Sequence, residues 1–469
     1  MTIRNRLNLV FGLVFSLLLN SVTMADVTLH GLFTDNGIFQ RGVKVSVWGT
    51  ADATEVVTVK FGKQTVSATP KEGKWNAELA AMVADASPRD LIVSQKDQTL
   101  TRKNIVVGDI WICGGQSNMQ WEVHQSEGAD VAVASASNPK IRLFTVQREG
   151  DAKPRSDLKT GSWVEAAPES VKNFSAVGYY FGRDLQKSLN VPIGLLSSNI
   201  GGTTAERWMS KESIDNNPEI KDMKPTQGRN DLYNAMIAPL APYSIKGSIW
   251  YQGESNASRP YNYRHVLAGM IKSWRDTFGQ GDFPFLIVEL APFTPIVDEP
   301  VDQEWAVVRE SMQWVAKNSP KVDTVSIVDV GDEKDIHPQK KQPVGARLAI
   351  AARALAYGEK ITPAGPEYAS VSFKETQANV KMNNAGAGLV AKDGELKGFT
   401  VAGEDRKFHK AVARIDGDTI VVSCDAVPAP KSVRFGWANY PVVNLWNKDG
   451  LPASPFRTDD WPVINQNEK

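Results

Sequence analysis

The spacing of apolar residues changes character twice along the chain. From residue 26 to about 105, short segments such as VKVSVWG and EVVTVKFG alternate apolar and polar positions, with turn-forming residues between them. A period of two marks strands with one buried face. KEGKWNAEL reads as a hairpin bend entering a further strand, so residues 26–105 are expected to form a β-sandwich-like domain. From residue 106 the apolar runs become continuous: DIWIC (109–113), PIGLLSSN (192–199), KGSIWYQ (246–252), PFLIVEL (284–290) and DTVSIVD (323–329). Segments of helical length separate them, among them AVGYYFGRDLQKSL, EWAVVRESMQWVAKN and VGARLAIAARALA (344–356). Fully apolar strands alternating with amphipathic helices predict an α/β domain over 106–358, its parallel sheet covered on both faces. After about residue 359 the short period returns. ARIDGDTIVVS holds a Gly-centred hairpin signal, and SVRFGW and VVNLWNK read as strands, giving a C-terminal β-rich domain over 359–469.

The first 25 residues fit none of these rhythms. Arg4 and Arg6 precede a nearly apolar run from Leu7 to Leu19, and small or polar residues follow up to Ala25. That order predicts a secretory signal peptide over 1–25, cleaved after Ala25. The run is short for a membrane span, which needs roughly 20 residues. The expected location of the mature chain is therefore secreted or periplasmic, with no membrane contact after cleavage.

Bulk composition narrows the partners. A chain of 469 residues is too long for one ordinary core. Lys+Arg and Asp+Glu both count 53, so the formal net charge is zero. Nucleic acid as the main partner would demand a basic surface, and a polybasic membrane contact is excluded for the same reason. Of the two cysteines, Cys113 sits in a strand-like run and reads as a buried free thiol; whether it meets Cys424 stays open. No Cys/His cluster has zinc-ligand spacing, and no cofactor or metal is expected. Oligomeric state is not legible.

In an open α/β sheet, ligands bind beyond the carboxyl ends of the strands. There the sequence is polar and rich in glycine. DIWIC runs into Gly114-Gly115-Gln116-Ser117-Asn118-Met119, and GLLSSN into Ile200-Gly201-Gly202-Thr203. GSIWYQ runs into Gly253-Glu254-Ser255-Asn256, and TVSIVD into Val330-Gly331 with Asp332, Asp335 and His337 beyond. This is the parts list of an acyl hydrolase. A serine hydroxyl is a weak nucleophile and needs an adjacent base. Ser117 at a strand-to-helix turn would expose its Oγ, and its own N–H would face a developing oxyanion. Gly201 or Gly202 would add a second donor, and a side-chain amide a third. Of the five histidines, His30, His124, His265, His337 and His409, only His337 has a nearby acid at the end of a predicted strand. His124 follows the Ser117 turn closely enough to line a pocket.

The motifs carry a resemblance. GGQSNMQW (114–121), IGGTTAERW (200–208), SIWYQGESNA (248–257), DEKDIHPQKKQPVGARLA (332–349) and the tail segment at 434–461 together resemble the sialate O-acetylesterases, a branch of the SGNH hydrolases related to xylan acetyl esterases. The resemblance implies an SGNH-type three-layer α/β/α catalytic domain and a serine esterase acting on O-acetylated carbohydrate. It implies Ser117 as nucleophile, His337 as base, and Gly202 or Gly201 in the oxyanion hole. Gln252 is expected as the side-chain donor, with Asn256 as the alternative. For the triad acid, Asp335 comes first, then Glu254, then Asp332. Gln116, Trp121, Trp208 and Arg309 are candidates for substrate binding. Trp208 also has a reading as a core aromatic, and Arg309 as one of a structural pair with Glu310. Two alternatives stay open: an acetyl xylan esterase-like enzyme, and a non-catalytic carbohydrate-binding protein, which the 13 Trp residues and two β domains would suit.

Overall fold

The computed structural model describes residues 26–466 except 53, 54 and 299, and the expected signal peptide lies outside the described residues. The architecture is mixed α/β, built around one long strand, β1 (Gln98–Gly115). Its first part pairs antiparallel with Asp85–Gln95 of the N-terminal region. From Asp109 to Gly115 it lies between two parallel neighbours at the centre of a larger sheet. Position 105/106 therefore falls inside a single strand. The other strands of the central sheet are β2 (Asn138–Thr145), β3 (Val164–Ala166), β4 (Ile193–Asn199), β5 (Gly247–Tyr251), β6 (Phe285–Val288) and β7 (Val322–Val325). Their spatial order is β7-β6-β5-β1-β4-β2-β3, parallel throughout except for the β2–β3 pair. β2 and β3 have no counterpart in the sequence reading. In β2 the Arg142 side chain is turned inward onto the Asn36 and Asn104 carbonyls, which interrupts the apolar run.

Alternation along the central strands explains how helices cover both faces. Ile110, Ile112, Leu196, Trp250, Phe285 and Ile287 share one apolar cluster with α2 (Tyr263–Phe278) and α3 (Glu304–Asn318). Trp111, Cys113, Leu195, Ile249, Tyr251, Leu286 and Val288 share the other with α1 (Ala176–Leu189) and α4 (Lys341–Tyr357). A strand buried on both sides has no reason to carry polar residues, which is the source of the continuous apolar runs. α1 starts at Ser175, whose Oγ accepts the Gly178 N–H, and α2 and α4 end on left-handed Gly279 and Gly358.

Both flanking β regions are anchored to this layer. The N-terminal strands bury Val47, Val57, Val59, Leu91 and Val93 in the cluster that also holds α2 and α3. Asp109, 1% exposed, binds Gln40, Arg41 and Tyr357 where β1 passes from one sheet to the other. The C-terminal strands have a core of their own around Val380, Val401, Ile420, Phe435 and Phe456. They meet α3 through polar side chains, described below with the site. Cys113 is fully buried and neither cysteine forms a disulfide.

Candidate active site

The carboxyl ends of β1, β4 and β5 converge on Ser117, which opens a single helical turn, Ser117–Gln120. The chain reaches it through Gly115, at φ +141°, where a Cβ would stand 2.2 Å from the Tyr251 carbonyl oxygen. Only glycine tolerates both that conformation and that approach. Ser117 emerges partly exposed from otherwise buried surroundings.

His337 comes to Ser117 from the loop after β7. Its Nε2 lies 2.9 Å from Ser117 Oγ. The other ring nitrogen, Nδ1, lies 3.4 Å from Asp335 Oδ1, and the same oxygen accepts the His337 backbone N–H at 2.8 Å. Asp332 does not reach the ring. Its Oδ1 accepts the Lys334 and Asp335 N–H groups and shapes the turn. Trp121 stacks on the imidazole at 5.3 Å between centroids and 17° between planes. Burial lowers the His337 pKa, the Asp335 charge works against this, and the Lys341 charge adds to it. The net shift is downward, so the imidazole is neutral and able to accept a proton in neutral solution. The remaining histidines stand elsewhere. His124 bonds the Lys172 carbonyl, His30 faces Asp157, His265 packs on Trp314, and His409 lies on an exposed edge strand.

Beside Ser117 runs the turn at 200–205. Gly201 would bring a Cβ within 3.2 Å of the Ser117 Cβ, and its N–H is already bonded to Gln120 Oε1 at 2.7 Å. Gly202, at φ +69°, is exposed, and its N–H has no acceptor among the described residues. The same holds for the Ser117 N–H.

The two side-chain amides expected to join these donors are committed to holding the turn. Gln252 is 0% exposed; its Nε2 donates to the Thr203 carbonyl at 3.1 Å and to Asn256 Oδ1 at 2.7 Å. Both hydrogens are used, so Gln252 has none left for an oxyanion. Asn256 Oδ1 also accepts the Ala205 N–H, and its Nδ2 donates to Glu206 Oε2 at 2.9 Å. Arg259 completes this bracket by pairing with Glu206 at 3.0 Å. Ser197 and Ser198 are structural too, the latter bonding the Met236 carbonyl.

Two further expectations are corrected by burial. Trp208 is 0% exposed, donates to Thr203 Oγ1 and packs edge-on against Trp250, so no sugar reaches it. Arg309, also 0% exposed, donates to the carbonyls of Leu290, Ala438 and Asn439. It fastens the C-terminal β region to α3 rather than binding substrate. Gln313 to the Pro455 carbonyl and Arg457 to Glu310 reinforce that seam. Gln116 and Trp121 do stand beside Ser117 and His337. Gln116 Oε1 accepts the Ser255 N–H at 3.3 Å, and its Nε2 has no acceptor among the described residues.

Glu254 does not touch His337. Its Oε1 accepts from Asn118 Nδ2 at 2.7 Å, and Oε2 is buried without a partner among the described residues. Part of the residue reaches the surface, but burial of the carboxyl group pushes its pKa up. Lys341, which the sequence reading passed over, is 0% exposed and donates to Asn118 Oδ1 at 2.5 Å. Among the described residues, no group of three or more His, Cys, Asp and Glu side chains is arranged to hold a metal ion.

Known proteins resemble this chain over most of its length. Residues 107–354 match the family model described as carbohydrate esterase, sialic acid-specific acetylesterase. The sialate O-acetylesterase of Homo sapiens is 30% identical over 406 residues, covering 76% of this chain and 77% of the human protein. That of Mus musculus is 31% identical over 436 residues, covering 76% and 79%. The crystal structure of a carbohydrate acetylesterase from Xanthomonas citri superposes with a TM-score of 0.88 at 38% identity, over 93% of this chain and 100% of that one. With the family model spanning more than half its length, the chain belongs to the sialic acid-specific acetylesterases among the carbohydrate esterases, and is a carboxylic ester hydrolase.

Proposed function

We propose that this enzyme removes O-acetyl groups from carbohydrate through Ser117, His337 and Asp335, with O-acetylated sialic acid as the substrate. The observation that carries the reading is the 2.9 Å contact between His337 Nε2 and Ser117 Oγ. Ser117 Oγ attacks the acetyl carbonyl carbon while its proton passes to His337 Nε2. The negative charge on the carbonyl oxygen is taken up by the N–H groups of Ser117 and Gly202, backbone donors beside the nucleophile that have no acceptor among the described residues. Collapse breaks the bond to the sugar oxygen, which leaves with the proton from His337. Water, deprotonated by the same imidazole, then hydrolyses the acetyl-serine. Asp335 holds the ring and balances its positive charge. Gln116 and Trp121 flank the acetyl-bearing sugar.

The finer reading of the fold follows the same lines. An SGNH-type α/β/α domain over 106–358 is flanked by β domains over 26–105 and 359–469, supported by the helices on both faces of the central sheet. Export by a signal peptide over 1–25, to the periplasm or outside the cell, rests on its charge and hydrophobic pattern. Among the described residues no helix is long and apolar enough to cross a membrane.

A second substrate reading, an acetylated carbohydrate other than sialic acid, with acetylated xylan as the case to test, is favoured by one observation. Identity to the Xanthomonas citri carbohydrate acetylesterase, 38%, exceeds the 30% to the human sialate enzyme. The deciding experiment measures acetate release from O-acetylated sialic acid and from acetylated xylo-oligosaccharide side by side, with wild type and Ser117→Ala. Faster release from sialic acid, abolished in a folded Ser117→Ala variant, is expected. Retained turnover in that variant would overturn the nucleophile assignment.

A further inference from the structure

Behind the Ser117–His337 pair lies a second polar system that the ester chemistry does not itself require. Asn118 follows the nucleophile directly and is 1% exposed. Its Nδ2 donates to Glu254 Oε1 at 2.7 Å and to the Ile336 carbonyl at 3.0 Å, while its Oδ1 accepts from Lys341 Nζ at 2.5 Å. One amide therefore ties together the Ser117 turn, the loop after β5, and the segment carrying His337 into α4. An ammonium offers only donors, and an ionised carboxylate only acceptors. With Lys341 on one side and Glu254 on the other, turning the amide over would set like poles against each other. The amide is locked in one orientation, and the carbonyl of Ile336, next to His337, is locked with it.

Lys341 also acts through space. It lies 5.6 Å from the centroid of the Trp121 ring, the ring stacked on His337, and 5.4 Å from that of Tyr251. Burial lowers its pKa to about 7, against the charges of Glu254 and Asp335, which raise it. The charged groups acting on His337 are Asp335 on its own loop and Lys341 at the start of α4. In mildly acid solution, where the imidazole begins to protonate, Lys341 is mostly charged.

We infer that Lys341, with Asn118 and Glu254, forms a buried positioning unit that fixes the His337 loop against the Ser117 turn and sets a positive charge against the Trp121 ring that stacks on the imidazole. The inference rests on the Ser117–His337 reading given above. Lys341 is a positioning residue, acting through Asn118 and through its field.

Lys341→Met keeps the length and removes the charge. The imidazolium is then less disfavoured, so the acid limb of kcat/KM moves to higher pH, by roughly 0.5–1 unit. Lys341→Met leaves Glu254 without its counter-charge and risks misfolding. The Lys341→Met/Glu254→Gln variant removes both charges and keeps an oxygen for Asn118, and the same upward shift is expected. Asn118→Leu should lower kcat by about 10–100-fold with KM changed less than about threefold, because the acetyl group still binds but the base is misplaced. An unmoved acid limb in a folded Lys341→Met or double variant, or wild-type kcat in Asn118→Leu, overturns the inference. Turnover surviving in folded Ser117→Ala overturns the serine reading instead, so the two failures are distinct.

Discussion

Asp335→Asn tests which carboxylate serves His337. The substitution removes the charge yet leaves an oxygen to accept the His337 backbone N–H, so the loop keeps its shape. At 3.4 Å, two unit charges interact by roughly 5 kcal/mol at an effective dielectric of about 20 and by roughly 1 kcal/mol in bulk water. The Asp335 side chain is 51% exposed, which places the interaction near the lower figure, about 1–2 kcal/mol. That corresponds to a loss of roughly 5–30-fold in kcat/KM, far short of the ~10⁴-fold cost at a buried triad acid. The pH dependence carries a sign as well. Asp335 raises the His337 pKa against the effect of burial. Without it the pKa falls further, so the acid limb moves to lower pH while the plateau drops. Glu254→Gln should cost less than about threefold, because glutamine still offers Asn118 an acceptor and the carboxyl group has no bond to His337. The assay is p-nitrophenyl acetate hydrolysis from pH 4.5 to 9 on folded variants. A Glu254→Gln loss above about 100-fold beside a near-normal Asp335→Asn would make Glu254 the acid and refute the geometric argument.

Gly202→Ala meets no steric obstacle, since nothing lies within 4 Å of the new Cβ, but φ +69° costs a side-chain residue roughly 1–2 kcal/mol. The turn should relax and carry its N–H away, lowering kcat about 10–100-fold in steady-state kinetics; an unchanged kcat would remove this N–H from the oxyanion hole. Arg309→Met strands the Leu290 and Ala438 carbonyls at the α3 seam, while the Asn439 carbonyl keeps the Phe293 N–H, and should cost about 2–4 kcal/mol, read as a lower Tm and faster proteolysis, with activity per folded molecule retained. Glu367, at the same seam, is raised to about 7 by burial and by Asp323 and Glu289. A folded pKa above the unfolded value means stability falls as pH rises from near 4.5 through about 7, so Glu367→Gln should gain about 1–3 kcal/mol at pH 8 and little at pH 4.5 in melts at the two pH values.

Where burial and backbone shape dictate residue type, the sequence was readable. α1 and α3 cover Ala176–Leu189 and Glu304–Asn318, the segments that amphipathic spacing singled out, because one face of each enters an apolar cluster. The GGQS turn was readable because Gly115 admits no side chain. Polar residues gave no such signal. Gln252, Asn256 and Arg309 have the chemistry of ligand-binding groups, and the structure turns all three inward onto backbone atoms. Their partners lie 49, 51 and 19 residues away in sequence, so nothing local marks them as buried. Lys341 stands in a Lys-Lys pair that reads as solvated surface, and only the packing of α4 against the sheet buries one of the two. The same blindness moved the predicted start of α4 to residue 344, beyond its polar first turn.

The inward-turned amides explain how loops at strand ends become rigid enough for catalysis. Catalytic groups have to be held within roughly 0.5 Å, yet these loops lie beyond the sheet ladder. Side-chain amides replace it. Gln120 holds the Gly201 N–H, Gln227 the Gly202 carbonyl, Gln252 the Thr203 carbonyl, Asn256 the Ala205 N–H, Gln116 the Ser255 N–H and Asn118 the Ile336 carbonyl. An amide carries a donor and an acceptor, so one side chain can join two loops. A carboxylate would repel the carbonyls, and an apolar residue would leave buried backbone groups unpaired at about 1–3 kcal/mol each. Gln252, with both amide hydrogens spent on fixing the loop, is not free to bind an oxyanion. In the mechanism proposed above, stabilisation of the tetrahedral intermediate then falls to the backbone N–H groups of Ser117 and Gly202, the latter in a turn braced by Gln252 and Asn256, the amides that the sequence had suggested as donors.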